Sequence, residues 1–589
     1  MESSTSQTIL TPSTTTNSTQ NSIARSTPTI ATTDRTSGPD EEKSSPPRYQ
    51  LDGDGSEVED LHNYVPGGYH PVAIGDVLGD GGRFRVVHKL GFGGYATVWL
   101  CHDKVFKKWR AVKIMQADSS KPDCADLKAL ELFAGIDVKV LASNHIQLAL
   151  EHFWIDGPNG RHLCFVLPFL GPNLTYIFGG YGHVPELMKD ICFQLIEAMR
   201  FIHSLDLCHG DFRTDNILLR LADGVDNWEE EAIMKMLGQP ELVLVRRTDG
   251  LGPEPEPGVP AYLVESAHVA HGSGTCSTEI AVIDFGVSYC VAEPPADKGT
   301  GIPMASAAPE EVLELYDSLG FHTDVWALGV AIARVRLGYT PFANEHDGFL
   351  DGVEKLECVM GPMPNPYRTV WKSWNGIFVN CRNDAGEPLE DDSWKDESVF
   401  ATLDTKRYEE TQRNRIGEGR PGHFLHYRMH HPNMMCISKQ DAKNIAAQAA
   451  ANPRVLPAYD WEAEDPRVED EVNYMMDKPE IAQMFDLLMR IFKWHPKQRA
   501  TLDQIANHEW FGDRNRRRQI GAPSAPKCTN NGFSKIWRSH VSLARRMSMG
   551  IRKGTFKMKR RLGWFAGTIG TILTGAFNTV NRRMGCLGR

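Results

Sequence analysis

The segment from Leu207 to Leu219 carries polar residues between two apolar runs, which predicts a loop held between two buried segments. Phosphoryl transfer requires an acceptor for the proton of the attacking hydroxyl, a cation near the transferred phosphate and a ligand for Mg²⁺. Asp211, Arg213 and Asn216 supply these three groups at offsets of 0, +2 and +5. Taken alone, the octamer from His209 to Asn216 is also compatible with a surface turn that carries scattered polar residues.

A glycine-rich segment earlier in the chain could hold the phosphates of a nucleotide. Gly91, Gly93 and Gly94 follow Phe84–Leu90, a predicted strand, and β-branched and aromatic residues come after them. The backbone amides of such a loop can approach phosphates without a side-chain clash. A dinucleotide-binding fold would place a helix after the glycines, whereas these residues predict a strand.

Lys113 lies in the middle of the apolar run Ala111–Met115, where a buried charge is costly unless an anion receives it. The α- and β-phosphates of ATP would be such an anion; a lysine that reaches solvent from an edge strand is the alternative. The next predicted helix offers Asp126 and Glu131 as carboxylate partners. The two lie roughly 140° apart around the helix, so at most one of them faces the lysine, and the family resemblance set out below favours Asp126.

The run Leu163–Leu167 predicts a buried strand that ends in a turn, where the Pro168 carbonyl and the Leu170 amide could meet an adenine ring. A proline is tolerated there because its missing N–H is not needed. The full set of residues that we expect around the nucleotide is Leu90, Gly91, Phe92, Gly93, Gly94, Val98, Ala111, Lys113, Asp126, Pro168 and Leu170.

Asp284 follows a short apolar run, which predicts a strand that brings its carboxylate beside Asn216. Both residues offer hard oxygen ligands suited to Mg²⁺. Residues 221–279 separate the two elements and include Glu229–Glu231 and a Gly-Pro-Glu-Pro-Glu-Pro stretch. That composition predicts an acidic, mobile insert.

The net charge of −11 conceals a strong asymmetry along the chain. Eighteen of the 64 Lys and Arg residues lie from Arg514 onward, where no Asp or Glu occurs, so residues 1–513 hold 46 basic and all 75 acidic residues. An acidic body with a basic tail indicates the charge of its partners rather than the fold.

The tail 513–589 contains an uncharged segment, 562–581, between basic clusters. Three interpretations of residues 535–583 remain open: binding at an anionic membrane surface, a membrane span, or a basic tail that folds back on the acidic body. Nucleic acid is conceivable on charge alone, but no base-reading motif accompanies the charge.

The two remaining features concern the compartment of the protein. Residues 1–47 are rich in Ser, Thr and Pro, which predicts a disordered tail, and the first residues lack the regions of a secretory signal. Twelve cysteines are scattered without a C-x-x-C pair, as is typical of buried thiols in a reducing compartment. We therefore expect an intracellular protein, cytoplasmic, nuclear or both, with peripheral membrane association as a further option.

Together these segments resemble a eukaryotic protein kinase, in particular the SR-protein-specific kinases and their fungal relatives. The residues that carry this resemblance are Gly67–Gly75, Thr97–Leu100, Phe169–Asn173, His209–Arg213 and the insert before Asp284. The resemblance covers residues 48–512 and implies an α+β, bilobal protein-kinase-like fold. Its small antiparallel β-rich N-lobe would span about 69–167 and its larger helical C-lobe about 171–512.

The same resemblance implies a monomer that uses ATP and Mg²⁺ to phosphorylate Ser or Thr in protein substrates, with Arg/Ser-rich proteins as a candidate class. In its terms Asp211 is the base, Lys113 and Arg213 are phosphate cations, and Asn216 and Asp284 bind the metal. It also implies that Asp324 accepts backbone hydrogen bonds from the catalytic loop and that Arg499 pairs with Glu310.

Several positions depart from the family pattern. Asp126 replaces a glutamate, Ala96 replaces the third loop glycine, and Ser306 replaces a tyrosine. Gly210 stands where many kinases have an arginine that receives an activation-segment phosphate, so we expect activity without phosphorylation of residues 287–307. Two hypotheses follow: an active Ser/Thr kinase, or an inactive or very slow kinase-fold scaffold that is tethered through the basic tail.

Overall fold

The computed structural model of this 589-residue chain describes residues 49–53, 55–248, 256–295, 299–342, 349–371, 425–426, 429, 436–458, 471–473 and 476–514. The predicted disordered tail 1–47 and the uncharged segment 562–581 lie outside the described residues. No helix in the described ranges combines the length and the apolar character that crossing a bilayer requires.

The described strands, in chain order, are β1 (Tyr49–Asp52), β2 (Val77–Leu78), β3 (Phe84–Gly93), β4 (Ala96–Asp103), β5 (Lys108–Met115), β6 (Glu151–Gly157), β7 (Gly160–Pro168), β8 (Leu207–Cys208), β9 (Ile217–Leu221), β10 (Leu242–Arg247), β11 (Tyr262–Val264), β12 (Cys276–Val282), β13 (Tyr289–Cys290), β14 (Cys436–Ser438) and β15 (Glu471–Asn473). The described helices are α1 (Ala125–Leu132), α2 (Val138–Ser143), α3 (Ile177–Tyr181), α4 (Pro185–Ser204), α5 (Glu230–Leu237), α6 (Pro309–Val312), α7 (Phe321–Leu337), α8 (Phe349–Met360), α9 (Lys439–Ala451), α10 (Lys478–Ile491) and α11 (Leu502–Ala506).

Strands β2 to β7 form one antiparallel sheet in the order β2-β3-β4-β5-β7-β6. Successive side chains of a strand point to opposite faces, and here both faces are covered. One face buries Val86, Trp99, Cys101, Val112 and Val166. The other buries Ala96, Met115, Leu163 and Phe165, with Leu127 and Leu130 of α1 packed against them. Burial on both faces explains why β7 contains the apolar run Leu163–Leu167 and why β5 is apolar from Ala111 to Met115 apart from Lys113.

A second sheet joins the N-terminal segment to the insert, in the order β1-β10-β11. The insert also contacts the six-stranded sheet: Trp109 Nε1 donates to the Trp228 carbonyl at 2.7 Å, and Lys108 Nζ pairs with Asp226 Oδ2 at 2.7 Å. The described part of the insert is therefore folded, and our prediction of a mobile excursion is wrong there. Pairing between β10 and β11 satisfies backbone N–H and C=O groups of the insert.

Beyond β7 and outside the insert, the described chain is mainly helical, which confirms the α+β class. Helix α4 begins with a proline in its first turn, where the missing N–H is tolerated. Its apolar face is wholly buried, at Met188, Ile191, Leu195, Met199 and Ile202. Helix α4 packs against α7, whose residues are buried on nearly every side, as is typical of a helix in the centre of a domain.

The predicted ion pair between Glu310 and Arg499 is confirmed. Arg499 Nη1 and Nη2 donate to the two carboxylate oxygens of Glu310 at 2.7 Å and 2.6 Å, and both side chains are buried. A bidentate arginine–carboxylate pair is short and geometrically specific. It connects α6, which follows the activation segment, to the residues that directly precede α11.

Candidate active site

The glycine-rich segment forms the turn between β3 and β4, with Gly93 opposite Ala96. A strand follows the glycines, as predicted, in place of the helix of a dinucleotide-binding fold. A Cβ atom added to Gly91, Gly93 or Gly94 would meet no other atom within 4 Å. The turn is therefore open on the side from which a ligand would reach its backbone.

Other residues that we predicted to contact the nucleotide lie on the neighbouring strands β4, β5 and β7 and just beyond β7. Val98 pairs with Gly91 on one side and with Lys113 on the other. Ala111 is buried and lies opposite Leu167, next to Pro168 at the end of β7. Leu170 follows two residues later and is buried, so its backbone lies where the sheet passes into the helical region.

Lys113 lies on β5, between β4 and β7, so it does not reach solvent from an edge strand. Its Nζ lies 2.9 Å from Asp126 Oδ1 and 3.9 Å from Asp284 Oδ2. Burial lowers the pKa of Lys113, but the charges of Asp284 and Asp126 outweigh burial and raise it above its ordinary value. Asp126 reaches the lysine despite its short side chain, whereas Glu131 is exposed.

We expect that Asp126→Asn lowers kcat/KM for ATP by about tenfold to a hundredfold. A hydrogen bond between charged groups contributes about 1.5–3 kcal/mol, and about 1.4 kcal/mol corresponds to a factor of ten. Steady-state kinetics with varied ATP would measure the loss, and Glu131→Gln is the matched control on the same helix. Equal kcat/KM values for the two variants would contradict the assignment of Asp126.

The loop around Asp211 lies between β8 and β9, as the sequence predicted. Asn216 Nδ2 donates to the Asp211 carboxylate at 2.7 Å and to the Asp211 carbonyl at 3.0 Å. Arg213 Nη1 pairs with Asp215 Oδ2 at 2.7 Å, and Arg213 Nε lies 3.2 Å from Asp211 Oδ1. That oxygen is buried and accepts no hydrogen bond from the described residues. Asp211 therefore keeps one oxygen whose hydrogen-bonding capacity is unused.

Asp324 fixes the backbone of this loop, as we predicted. Its carboxylate accepts the N–H of His209 at 2.7 Å and that of Gly210 at 3.1 Å. His203 Nε2 lies 3.0 Å from the same carboxylate. Burial raises the pKa of Asp324, but the hydrogen bond and charge of His203 outweigh it, so the pKa lies below its ordinary value. The carboxylate remains ionised and keeps its acceptors for the loop.

Asp284 enters the site from the end of β12, which pairs with β9 so that Val282 lies opposite Ile217. The N–H of Ile283 donates to the Asn216 carbonyl at 3.0 Å, which places the two predicted metal ligands on adjacent strand ends. Burial raises the pKa of Asp284, but the charge of Lys113 and the Gly286 N–H lower it below its ordinary value. Asp284 has a φ of 61°, a left-handed conformation that is uncommon for a residue other than glycine and is found at functional sites.

Phe285 anchors the Asp284 segment in the core. Its ring lies 4.9 Å from Phe133, just after α1, and 4.8 Å from His209 of the loop. Centroid separations of this size are typical of favourable aromatic pairs. The Asp126-bearing helix and the Asp211 loop are thus packed against one ring.

The activation segment is held without a charged group at position 210. Gly210 has a φ of 81°, and a Cβ atom there would lie 2.8 Å from the Val287 carbonyl. The N–H and hydroxyl of Thr300 donate to the buried Glu311, with the N–H bond at 2.8 Å. Burial raises the pKa of Glu311. Ser306, the position where a tyrosine is usual, is buried and donates its N–H to the Pro303 carbonyl.

We expect full activity from protein that has been stripped of phosphate, because the Thr300–Glu311 contacts and the β8–β13 pairing already hold this segment. Phosphatase-treated and untreated protein would be compared by phosphate transfer, with mass spectrometry to verify removal. A loss of activity that returns only with a phosphate on residues 287–307 would contradict this prediction.

Sequence reasoning missed three supporting contacts in this region. His203 orients Asp324, Phe133 packs on Phe285, and the Tyr69 hydroxyl donates to the Gly93 carbonyl at 2.7 Å. His203 and Phe133 look like ordinary helix residues in the sequence. Only Tyr69, next to Gly67 and Gly68, lay in a segment that the resemblance already marked.

Comparison with known proteins matches residues 84–227 and 275–511 to the family described as "Protein kinase domain". The chain is 35% identical over 182 residues to Serine/threonine-protein kinase spk-1 of Caenorhabditis briggsae, which covers 30% of this chain and 16% of that protein. It is 35% identical over 167 residues to Protein kinase dsk1 of Schizosaccharomyces pombe, with coverage of 27% and 30%. It is 36% identical over 179 residues to SRSF protein kinase 3 of Homo sapiens, with coverage of 29% and 31%.

The aligned segment spans less than a third of the length of each of these relatives. They are distant and partial homologues, and they include kinases of the SR-protein-specific type that the sequence resembled. The family match, in contrast, takes in most of the chain, from the six-stranded sheet to the last helical turns. On that extent of similarity, the chain belongs to the protein kinase domain family.

Proposed function

We propose that this chain is a protein-serine/threonine kinase that transfers the γ-phosphate of ATP to Ser or Thr hydroxyls of protein substrates. The observation that carries the proposal is the position of Lys113, whose Nζ lies 2.9 Å from Asp126 and 3.9 Å from Asp284. One cation thereby joins the sheet, α1 and the end of β12 at a single place. A protein kinase domain implies the use of ATP, and transfer depends mainly on such positioning of charges.

The side chains around Lys113 and Asp211 fit ATP and Mg²⁺. The open glycine turn leaves backbone amides accessible to phosphates, and Lys113 supplies the cation for them. Asn216 donates through Nδ2 to Asp211, so its amide oxygen remains for a metal ion, and the ionised Asp284 offers a second hard oxygen ligand. Mg²⁺, when bound, would neutralise charge on the phosphates.

Asp211 is the proposed acceptor for the proton of the substrate hydroxyl. Its Oδ1 accepts no hydrogen bond among the described residues, and Asn216 holds the other part of the group in place. Arg213 Nε now lies 3.2 Å from this oxygen. The γ-phosphate of bound ATP would attract the Arg213 guanidinium away from this oxygen. Arg213 and Asp211 would then act on the same transfer step, one as cation and the other as base.

Arg/Ser-rich proteins are the proposed substrate class. The support is the resemblance to the SR-protein-specific kinases, together with the excess of acidic residues in positions 1–513, which would attract arginine-rich segments. The alternative is a kinase-fold scaffold, for which the departures at Asp126 and Ser306 speak. The contact of Lys113 with Asp126 at 2.9 Å supports the active kinase against the first of these two arguments.

The test is transfer of labelled phosphate from γ-labelled ATP to an Arg/Ser peptide by the purified full-length chain. We expect label on serine that requires Mg²⁺, and weaker labelling of a matched peptide in which arginines are replaced by glutamines. Nucleotide binding without any transfer to either peptide would favour the scaffold. Equal labelling of both peptides would leave the kinase but exclude the substrate class.

A further inference from the structure

Residues 59–69, which precede the matched kinase region, contact the glycine turn. The Tyr69 hydroxyl donates to the Gly93 carbonyl at 2.7 Å. Gly93 is the last residue of β3, where the chain turns toward β4. The contact therefore reaches the part of the loop that would cover the phosphates of a nucleotide.

Besides this hydrogen bond, the turn is held by the β3–β4 pairing, in which Gly93 lies opposite Ala96, and by the Gln116 N–H, which donates to the Tyr95 carbonyl at 2.8 Å. Glycine loses more conformational freedom on ordering than any other residue, and three glycines lie within four positions. No atom surrounds their Cβ positions, and the ring of Tyr95 is 70% exposed. Because the glycines contribute no side-chain contacts, the hydrogen bond from Tyr69 to the Gly93 carbonyl further restricts the position of the turn.

The same segment is bound to the strand that carries Lys113. The N–H of Ala117 donates to the Gly68 carbonyl at 3.0 Å, and that of Asp118 to the Gly67 carbonyl at 2.8 Å. Both donors lie just after the end of β5. Gly67, Gly68 and Tyr69 thus join the glycine turn to the end of β5 and fix the separation between the turn and Lys113.

A buried charge pair locks this segment and the insert onto β3. Lys89 is completely buried, its ammonium contacts Glu59, and it donates to the Val264 carbonyl at 2.9 Å. The Tyr64 hydroxyl donates to Glu59 at 2.5 Å. The Lys89 ammonium also lies 4.9 Å from the ring of Phe92 in the turn. Breaking a buried pair is strongly destabilising, so this register is well determined.

We propose that Tyr69 is a positioning residue for the phosphates of the nucleotide, and that residues 59–69 with the insert serve as its support. The inference rests on the proposed function, since it assigns Tyr69 to the same nucleotide site. The hydroxyl fixes the distance between the turn and Lys113. The backbone amides can then bind the phosphates without a further entropic cost of ordering the turn.

The protonation of Tyr69 agrees with a donor role. Burial, followed by the charge of Glu59, raises the pKa of Tyr69, so the hydroxyl keeps its proton at neutral pH. The groups that face it belong to the N-terminal segment, the end of β5 and the turn.

The experiment compares Tyr69→Phe with Tyr262→Phe in the full-length chain. Tyr262 lies in β11 of the same support, and its hydroxyl accepts the Ile74 N–H at 3.0 Å, away from the turn. Both substitutions remove one hydroxyl and keep the ring. Calorimetry would measure the affinity for ATP with Mg²⁺ and for adenosine, and amide hydrogen exchange would follow residues 91–95 in the free protein.

In Tyr69→Phe we expect an affinity for ATP that is lower by about twofold to tenfold, the range for one net hydrogen bond, with unchanged affinity for adenosine. Exchange of residues 91–95 should be faster than in Tyr262→Phe. Equal exchange in the two variants would overturn the assignment, as would an equal loss of affinity for ATP and adenosine. A wild-type protein that takes up no ATP would instead overturn the proposed function and, with it, the phosphate role of Tyr69.

Discussion

Asp211→Asn is expected to lower kcat for phosphate transfer by about 10²- to 10⁴-fold, the usual contribution of a positioned proton acceptor. The amide keeps the shape of the carboxylate, so Asn216 still has an oxygen to which it can donate. What is lost is the basic oxygen, Oδ1, which accepts no hydrogen bond from the described part of the protein. The substituted side chain cannot take the proton of a substrate hydroxyl at neutral pH.

The measurement is initial-rate phosphate transfer to an Arg/Ser peptide at saturating ATP, together with the affinity for ATP and the melting temperature. Asp206→Asn is the matched control, because Asp206 is exposed and lies just before β8 in the same region. We expect normal ATP affinity and melting temperature for both variants and a loss of transfer for Asp211→Asn alone. Equal labelling by the two variants would show that Asp211 is not the base.

The residues of the candidate site could be predicted because each lies in a short segment whose residue types and spacing indicate its chemistry. Taken alone, the octamer around Asp211 and the lysine within an apolar run each allow a structural interpretation, and their occurrence in one chain favours the catalytic one. The family resemblance favoured Asp126, helical geometry placed Glu131 on another face, and the contact of Asp126 with Lys113 is present. Asp126 pairs with a lysine only 13 positions away, which keeps that inference short in range.

The support of the site could not be predicted in the same way, because it depends on pairing between distant segments. β1 pairs with β10, with Tyr49 opposite Arg247. These residues lie far apart in the sequence, and no local pattern indicates that they pair. Leu242–Val245 is uniformly apolar, so the sequence does not show that Val243 and Val245 are buried while Leu242 and Leu244 are half exposed. The Pro-Glu stretch nearby dominated the composition and led to a prediction of mobility that is wrong for the described part of the insert.

Arg499→Met is expected to lower the free energy of unfolding by about 3–5 kcal/mol, the usual cost of removing one member of a buried ion pair. Glu310 would stay buried without its two short hydrogen bonds from the guanidinium. The variant also loses the donation from Arg499 Nη1 to the His322 carbonyl at 2.8 Å. Urea denaturation followed by circular dichroism would measure the change in stability.

Arg490→Met provides the matched control, since Arg490 pairs with Asp486 at 2.7 Å on the surface, with both side chains about half exposed. Exposed pairs of this kind contribute about 0–1 kcal/mol, so a loss there as large as that of Arg499→Met would contradict the buried-pair argument.

The double variant Glu310→Gln/Arg499→Met separates the cost of an unpaired charge from the worth of the pair itself. Groups in direct contact show coupling energies of about 0.5–3 kcal/mol, so we expect the double variant to be less destabilised than the sum of the single variants. Glu310 lies on α6, directly after the activation segment that Thr300 and Glu311 hold. If the double variant regains stability but not phosphate transfer, the ion pair is not needed for folding. Its role would then be to position the activation segment. If both return together, the pair is structural alone and the activation segment is held by the Thr300–Glu311 contact without it.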